Sequence, residues 1–185
     1  MLAAAATAVA ALTAGGVAGA QTDPDRTAGA PQALPTVRFD GIGPLRLGMS
    51  RRAALRTGWL ADRDIGCKLG GRPFPLVYRL TGPNAPKGVD GLVEFRRNRL
   101  QTLTFQRGVR TANGVVVGRT TARGMANRYR AGGYAVSVQY EPIFRGTFVM
   151  VRRGRRELIG GFARGRARAR KPISILAVPY VTTCE

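Results

Sequence analysis

Histidine is missing from all 185 residues. Without it there is no imidazole base, no histidine metal ligand and no Ser-His-Asp or Cys-His pair, so the usual hydrolase chemistries are not expected. Acidic residues are scarce, 10 against 30 basic, and only three of the basic residues are lysine: Lys68, Lys87 and Lys171. No signature places Ser50 or Ser137 beside one of these lysines as a dyad. Phosphate loops are also wanting, because GVVVGRTT lacks a lysine after its last glycine and does not fit the dinucleotide spacing. The expectation is a non-catalytic protein with no cofactor and no metal.

Charge is absent from the first twenty positions too. That stretch, MLAAAATAVAALTAGGVAGA, ends in the small-x-small pattern Ala18-Gly19-Ala20, which predicts a signal peptide over 1–20 with cleavage after Ala20. Residues 21–36, polar and without period, read as a disordered tether, and 37–185 as a single domain. With the leader removed no membrane span is expected, and the chain reads as a secreted, extracytoplasmic monomer. In an exported chain the two cysteines, Cys67 and Cys184, favour a disulfide. Closing a loop of more than 100 residues would contribute about 4 to 5 kcal/mol on the chain-entropy view.

Two stretches match at an offset of 70 residues, LRLGMSRRAALRTGW from Leu45 and VVVGRTTARGMANRY from Val115. Each has alternating aliphatics, a glycine and, two positions later, a hydroxyl residue, Ser50 or Thr120, suited to cap a short helix. Gly58 marks the first helix's end, and Met125 and Tyr129 stand four apart on the second. Hairpin patterns follow: Leu92 to Phe105 turning at Arg97-Asn98, and Phe148 to Phe162 turning near Arg153-Gly154. Phe74–Leu80, Tyr134–Tyr140 and Ile173–Val178 are further strand candidates. The predicted fold class is α+β, two helix-plus-β-hairpin repeats (about 37–108 and 109–185) packed as short helices on a mostly antiparallel sheet.

The segment GIGPLRLGMSRRAAL, Gly41 to Leu55, resembles the opening of the SmpA/OmlA lipoproteins of outer-membrane assembly, with their Leu-x-x-Gly-Met-Ser/Thr approach to the first helix. The duplication, with a cysteine after the first helix, also resembles the β-lactamase inhibitor protein architecture and many exported actinobacterial proteins. These resemblances imply helices on an antiparallel sheet and a role in binding other proteins. They carry no binding residues across.

What the chain has in plenty is arginine. Up to position 100 it holds 14 basic and 7 acidic residues and beyond it 16 and 3, so the excess rises from +7 to +13. Arg152, Arg153, Arg155 and Arg156 crowd one predicted hairpin tip, and Arg164, Arg166, Arg168, Arg170 and Lys171 follow. In an extended chain, GRARARK would put Arg164, Arg166, Arg168 and Arg170 on one face. The planar guanidinium suits phosphate and carboxylate, so these nine residues are the candidate anion-binding set. The candidate partner is an anionic envelope polymer or an acidic protein; dedicated nucleic-acid recognition is not expected, since aromatics are not interleaved with the strip. A solvated surface of an arginine-rich composition is the competing reading. Two other functions remain open at this stage. An inhibitor of a secreted enzyme would expose Tyr78, Tyr134 or Tyr140 on a concave sheet face. A carboxylate-only enzyme would gather Asp62, Asp64, Asp90 or Glu94 in one pocket.

Overall fold

Alternation of apolar and polar side chains drives far more of this chain into strands than into helices. The computed structural model describes residues 33–68 and 72–182. The expected signal peptide, residues 21–32 of the expected tether and Cys184 lie outside the described residues. In chain order the elements are β1 (Thr36–Arg38), β2 (Gly41–Ile42), β3 (Leu45–Arg46), α1 (Arg51–Arg56), β4 (Ala61–Ile65), β5 (Leu76–Arg79), β6 (Asp90–Arg96), β7 (Arg99–Arg107), β8 (Arg110–Thr111), α2 (Ala122–Ala131), β9 (Ala135–Glu141), β10 (Gly146–Arg153), β11 (Arg156–Arg164), a 3-10 turn (Ala167–Ala169) and β12 (Ile175–Val178).

Eight strands form one sheet in the order β4-β5-β6-β7-β12-β11-β10-β9, antiparallel throughout. Two meanders, β4 to β7 and β9 to β11, are stitched together by β12, whose Leu176 pairs with Phe105 on one side and Gly161 on the other. A small second sheet runs β3-β2-β1-β8, with β1 and β8 parallel. On the large sheet's inner face Val93, Phe95, Leu103, Phe105, Val149, Val151, Ile159 and Leu176 are buried together with Ala54 of α1, Met125, Ala126 and Tyr129 of α2, and Val37, Ile42 and Leu45 of the small sheet. The approach of α2 is close: a β-carbon at Gly161 would stand 2.5 Å from the Met125 sulfur.

This β-rich fold overturns the expected α+β pair of helix-plus-hairpin repeats. The helices are only 6 and 10 residues long, and the partners cross the expected boundary between residues 108 and 109. β8 of the second half pairs with β1 of the first, and β12 of the second with β7 of the first. The sequence match at offset 70 is a local one. Ser50 caps α1, its Oγ accepting from Ala53 N at 3.3 Å. In the second copy Thr121, not Thr120, caps the helix, accepting from Gly124 N at 3.1 Å, while the Thr120 hydroxyl takes Val116 N at 2.9 Å. Leu45 enters the small sheet, whereas Val115 and Val117 lie outside any strand.

Candidate functional site

The β10–β11 hairpin closes through Gly154-Arg155, and Gly154 takes the positive φ (+58°) that a tight turn of this kind requires. The residues flanking the turn, Arg153 and Arg156, are direct cross-strand partners. Like charges placed opposite each other on a ladder repel, and a bound anion between them would relieve that cost. Alternation puts them on the inner side of the sheet, with Val151 and Leu158, just beyond the end of the core. There Arg153 is held in place: its Nη2 donates to the Tyr134 hydroxyl at 3.2 Å, and its guanidinium carbon lies 5.0 Å from the centre of the same ring. Tyr134 in turn meets Phe39 and Tyr129 edge-on, with ring centres 5.3 and 5.7 Å apart.

Arg153, Phe39 and Tyr129 help wall a cleft of about 450 Å³. Its floor is apolar, from Val37, Phe39, Tyr129 and Leu158; Arg38, Arg153, Arg156 and Asn113 supply donors, and Asp40 lines it too. Arg38 pairs with Asp40, Nε to Oδ1 at 3.3 Å, and Asp40 also takes Arg46 Nε at 3.4 Å. Among the described residues no carboxylate forms an ion pair with Arg153 or Arg156. Burial pushes the Tyr129 phenol up to about 12, against a hydrogen bond with Thr111 that lowers it, so it is a neutral hydroxyl at ordinary pH. Fixed guanidiniums over an apolar floor suit an anionic group attached to an apolar body.

The nine basic residues singled out from the sequence do not form one surface. Arg152 points to the other side of the sheet and pairs with Glu157 at 3.0 Å, and Arg155 is exposed in the turn. Arg164 lies at the far end of β11, about 27 Å from the hairpin tip at ~3.4 Å per residue. GRARARK is not extended. Gly165 turns with φ +82°, Ala167–Ala169 form a 3-10 turn, and Arg170 is left-handed at φ +51°. Arg166 stacks on the Tyr140 ring at 5.0 Å, while Arg168, Arg170 and Lys171 are exposed along a bent path. The alternation failed because alanine and arginine have weak strand preference and no neighbouring strand is there to enforce it.

The tyrosines expected of an inhibitor do not share a concave face. Tyr78 is buried against Phe95 at 5.7 Å, Tyr134 packs on Phe39 beneath the Arg153 guanidinium, and Tyr140 lies under Arg166. Of the four carboxylates considered for an enzyme, Asp62, Asp64 and Glu94 line one basin of about 630 Å³, on the side of the sheet away from the helices, with Cys67, Leu92, Thr104 and Thr182. Asp90 is elsewhere, paired with Arg107 at 3.5 Å. Asp62 and Asp64 belong to an edge strand rather than a loop; Thr81 donates to Asp62 Oδ2 at 2.7 Å, and the Asp64 carboxylate takes Ile65 N at 2.7 Å. Burial raises Glu94 above the ordinary carboxylate value, with Arg96 pulling the other way. Among the described residues no His, Cys, Asp or Glu group could hold a metal ion. Cys67 is not a free thiol. Its expected partner, Cys184, lies outside the described residues, and Thr182 lines the same basin as Cys67.

The sequence reading missed Arg38, Phe39, Asn113 and Tyr129 as walls of the cleft, because they come from β1, the loop after β8, and α2. Its legible signal was the Arg153/Arg156 pair alone. Compared with family models, curated proteins and solved structures, the chain matches none.

Proposed function

We propose that the protein is an extracytoplasmic, non-catalytic binding module that grips an anionic group of an envelope polymer in the cleft walled by Arg38, Arg153 and Arg156. The observation that carries this is the direct opposition of Arg153 and Arg156 beside an apolar floor, neither of them in an ion pair among the described residues, while Asp40, which also lines the cleft, is paired with Arg38 and Arg46. The expected leader, the expected Cys67–Cys184 pairing and the motif likeness to exported envelope domains agree with that placement. A bridge from Cys67 to Cys184 would tie the chain's end down over the opposite side of the sheet.

The test is binding of the chain to poly(glycerol phosphate) over a salt series, beside an Arg153→Gln/Arg156→Gln variant. Each good charged contact contributes roughly 1.5 kcal/mol or more, so the double variant should bind at least about tenfold more weakly. An Arg166→Gln/Arg168→Gln/Arg170→Gln variant should bind nearly as the parent does. Equal loss in both variants would mean diffuse charge, not a site.

The basin supports a second reading, a carboxylate site in which Glu94, raised by burial, shares one basin with Asp62 and Asp64. Turnover of a glycosidic or ester substrate that Glu94→Gln abolishes would establish it.

A further inference from the structure

The large sheet has two edges, and they are built differently. β4, at one, is blunted: a bulge interrupts its pairing between Ala61 and Arg63, Asp62 sits at φ +50°, and the exposed run Asp62-Arg63-Asp64 lines it. These are the devices that keep an edge from pairing with another chain. β9, at the other edge, has none of them. Ala135–Glu141 pairs with β10 in unbroken register, holds no proline or bulge, and has no charge before Glu141.

Its outward backbone groups can be identified. The Val136 carbonyl accepts from Arg130 Nη2 at 3.3 Å, on the side away from β10. In an antiparallel strand the N–H and C=O of one residue point the same way, and every second residue repeats it. Val138 and Tyr140 therefore turn their N–H and C=O outward, and no hydrogen bond to them from outside the ladder is found among the described residues. The charge around this edge is of one sign. Arg130 stands at its start, Arg166 on the Tyr140 ring, and Arg145 in the turn at its end, where Gly165 N bonds the Arg145 carbonyl at 2.7 Å. The one acid of the strand and its following turn, Glu141, is bonded by Gln139. Ile143 in that turn is 73% exposed and offers an apolar contact.

We infer that β9 is a docking edge for an extended acidic segment of a partner protein, which adds as a ninth strand with its carboxylates toward Arg130, Arg145 and Arg166. A second copy of this chain would bring the same three arginines to the seam, so self-pairing is opposed. The inference uses no residue of the Arg38, Arg153 and Arg156 cleft and goes beyond that reading.

The experiment follows amide hydrogen exchange in the isotope-labelled full chain, with a short peptide alternating Glu and Val, and with its Lys and Val counterpart. With the acidic peptide at about ten times its Kd, exchange at Val138 and Tyr140 should slow about tenfold, because bound edges are protected in proportion to occupancy. The basic peptide should leave both unchanged. Val138→Pro removes an N–H that faces outward, which an edge strand tolerates, and should abolish the effect; Arg145→Gln/Arg166→Gln should weaken it should the proline variant fail to fold. Protection by both peptides alike, protection at β4 instead, no protection, or protection that grows with protein concentration alone would each overturn the proposal. An Arg153→Gln/Arg156→Gln variant should respond as the parent does, which separates this edge from the cleft.

Discussion

Replacing Leu176 with alanine tests whether the two halves of the chain are one cooperative body. Leu176 is 0% exposed and sits in β12 between Phe105 of the first meander and Gly161 of the second. The truncation removes about three methylene equivalents, roughly 2.4 kcal/mol of transfer free energy at 0.8 each. The cavity left behind brings the loss to about 3 to 4 kcal/mol, because strands fixed on both sides cannot collapse into it. With a urea slope of about 2 kcal/mol/M for a domain of this size, the midpoint should fall by about 1.5 to 2 M. Two probes are needed: far-ultraviolet circular dichroism for the whole sheet, and fluorescence of Trp59, the single tryptophan, which lies in the first half against Gly43. Coincident transitions that move together are expected. A Trp59 transition that stays put while the dichroism shifts would mean that the halves fold separately, and the stitched sheet would be wrong.

Glu94→Gln should raise the melting temperature at neutral pH and change little at or below pH 4.5, the ordinary carboxylate value. A group whose folded value is raised makes the native state lose stability as pH climbs past its unfolded value, and the amide has no proton to lose. Tyr129 works at the other end of the scale: its neutral form is favoured in the fold, so that contribution is complete below pH 10 and lost as pH rises through about 12. Tyr129→Phe should flatten alkaline melting over that window, read by dichroism, while costing about 1 kcal/mol at neutral pH for the lost bond to Thr111. Gly108→Ala should destabilise by clearly more than Gly88→Ala in urea titrations. Both sites have positive φ (+76° and +80°), worth about 1 to 2 kcal/mol, but only at Gly108 would the new β-carbon overlap the Gly88 carbonyl, Gly88 having open space.

What could be read from the sequence was local. The hairpin turning at Arg97-Asn98, the Ser50 cap, and the buried Met125 and Tyr129 each rest on side chains within a few positions of one another. The small sheet gave no periodic signal, since strands of two residues such as Gly41–Ile42 are too short to alternate. β4 was hidden behind Asp62 and Asp64, which look like a loop until the bulged edge explains them. The helix-like match at offset 70 misled because it described two capped turns and not two helix-plus-hairpin repeats. The cleft escaped for a related reason. Arg153 and Arg156 are neighbours in a turn, but Arg38 stands more than 100 positions away in sequence, and only the parallel pairing of β1 with β8 brings β1 beside the loop that carries Asn113.

The most direct measurement follows the arginine side-chain Nε resonances of the labelled chain during titration with a poly(glycerol phosphate) oligomer. A bound anion in the cleft predicts saturable shifts of Arg38, Arg153 and Arg156, with Arg152, Arg155, Arg164, Arg168 and Arg170 unmoved. Shifts spread evenly over all of them, or shifts that never saturate, would contradict the site and leave the arginines as solvated surface charge.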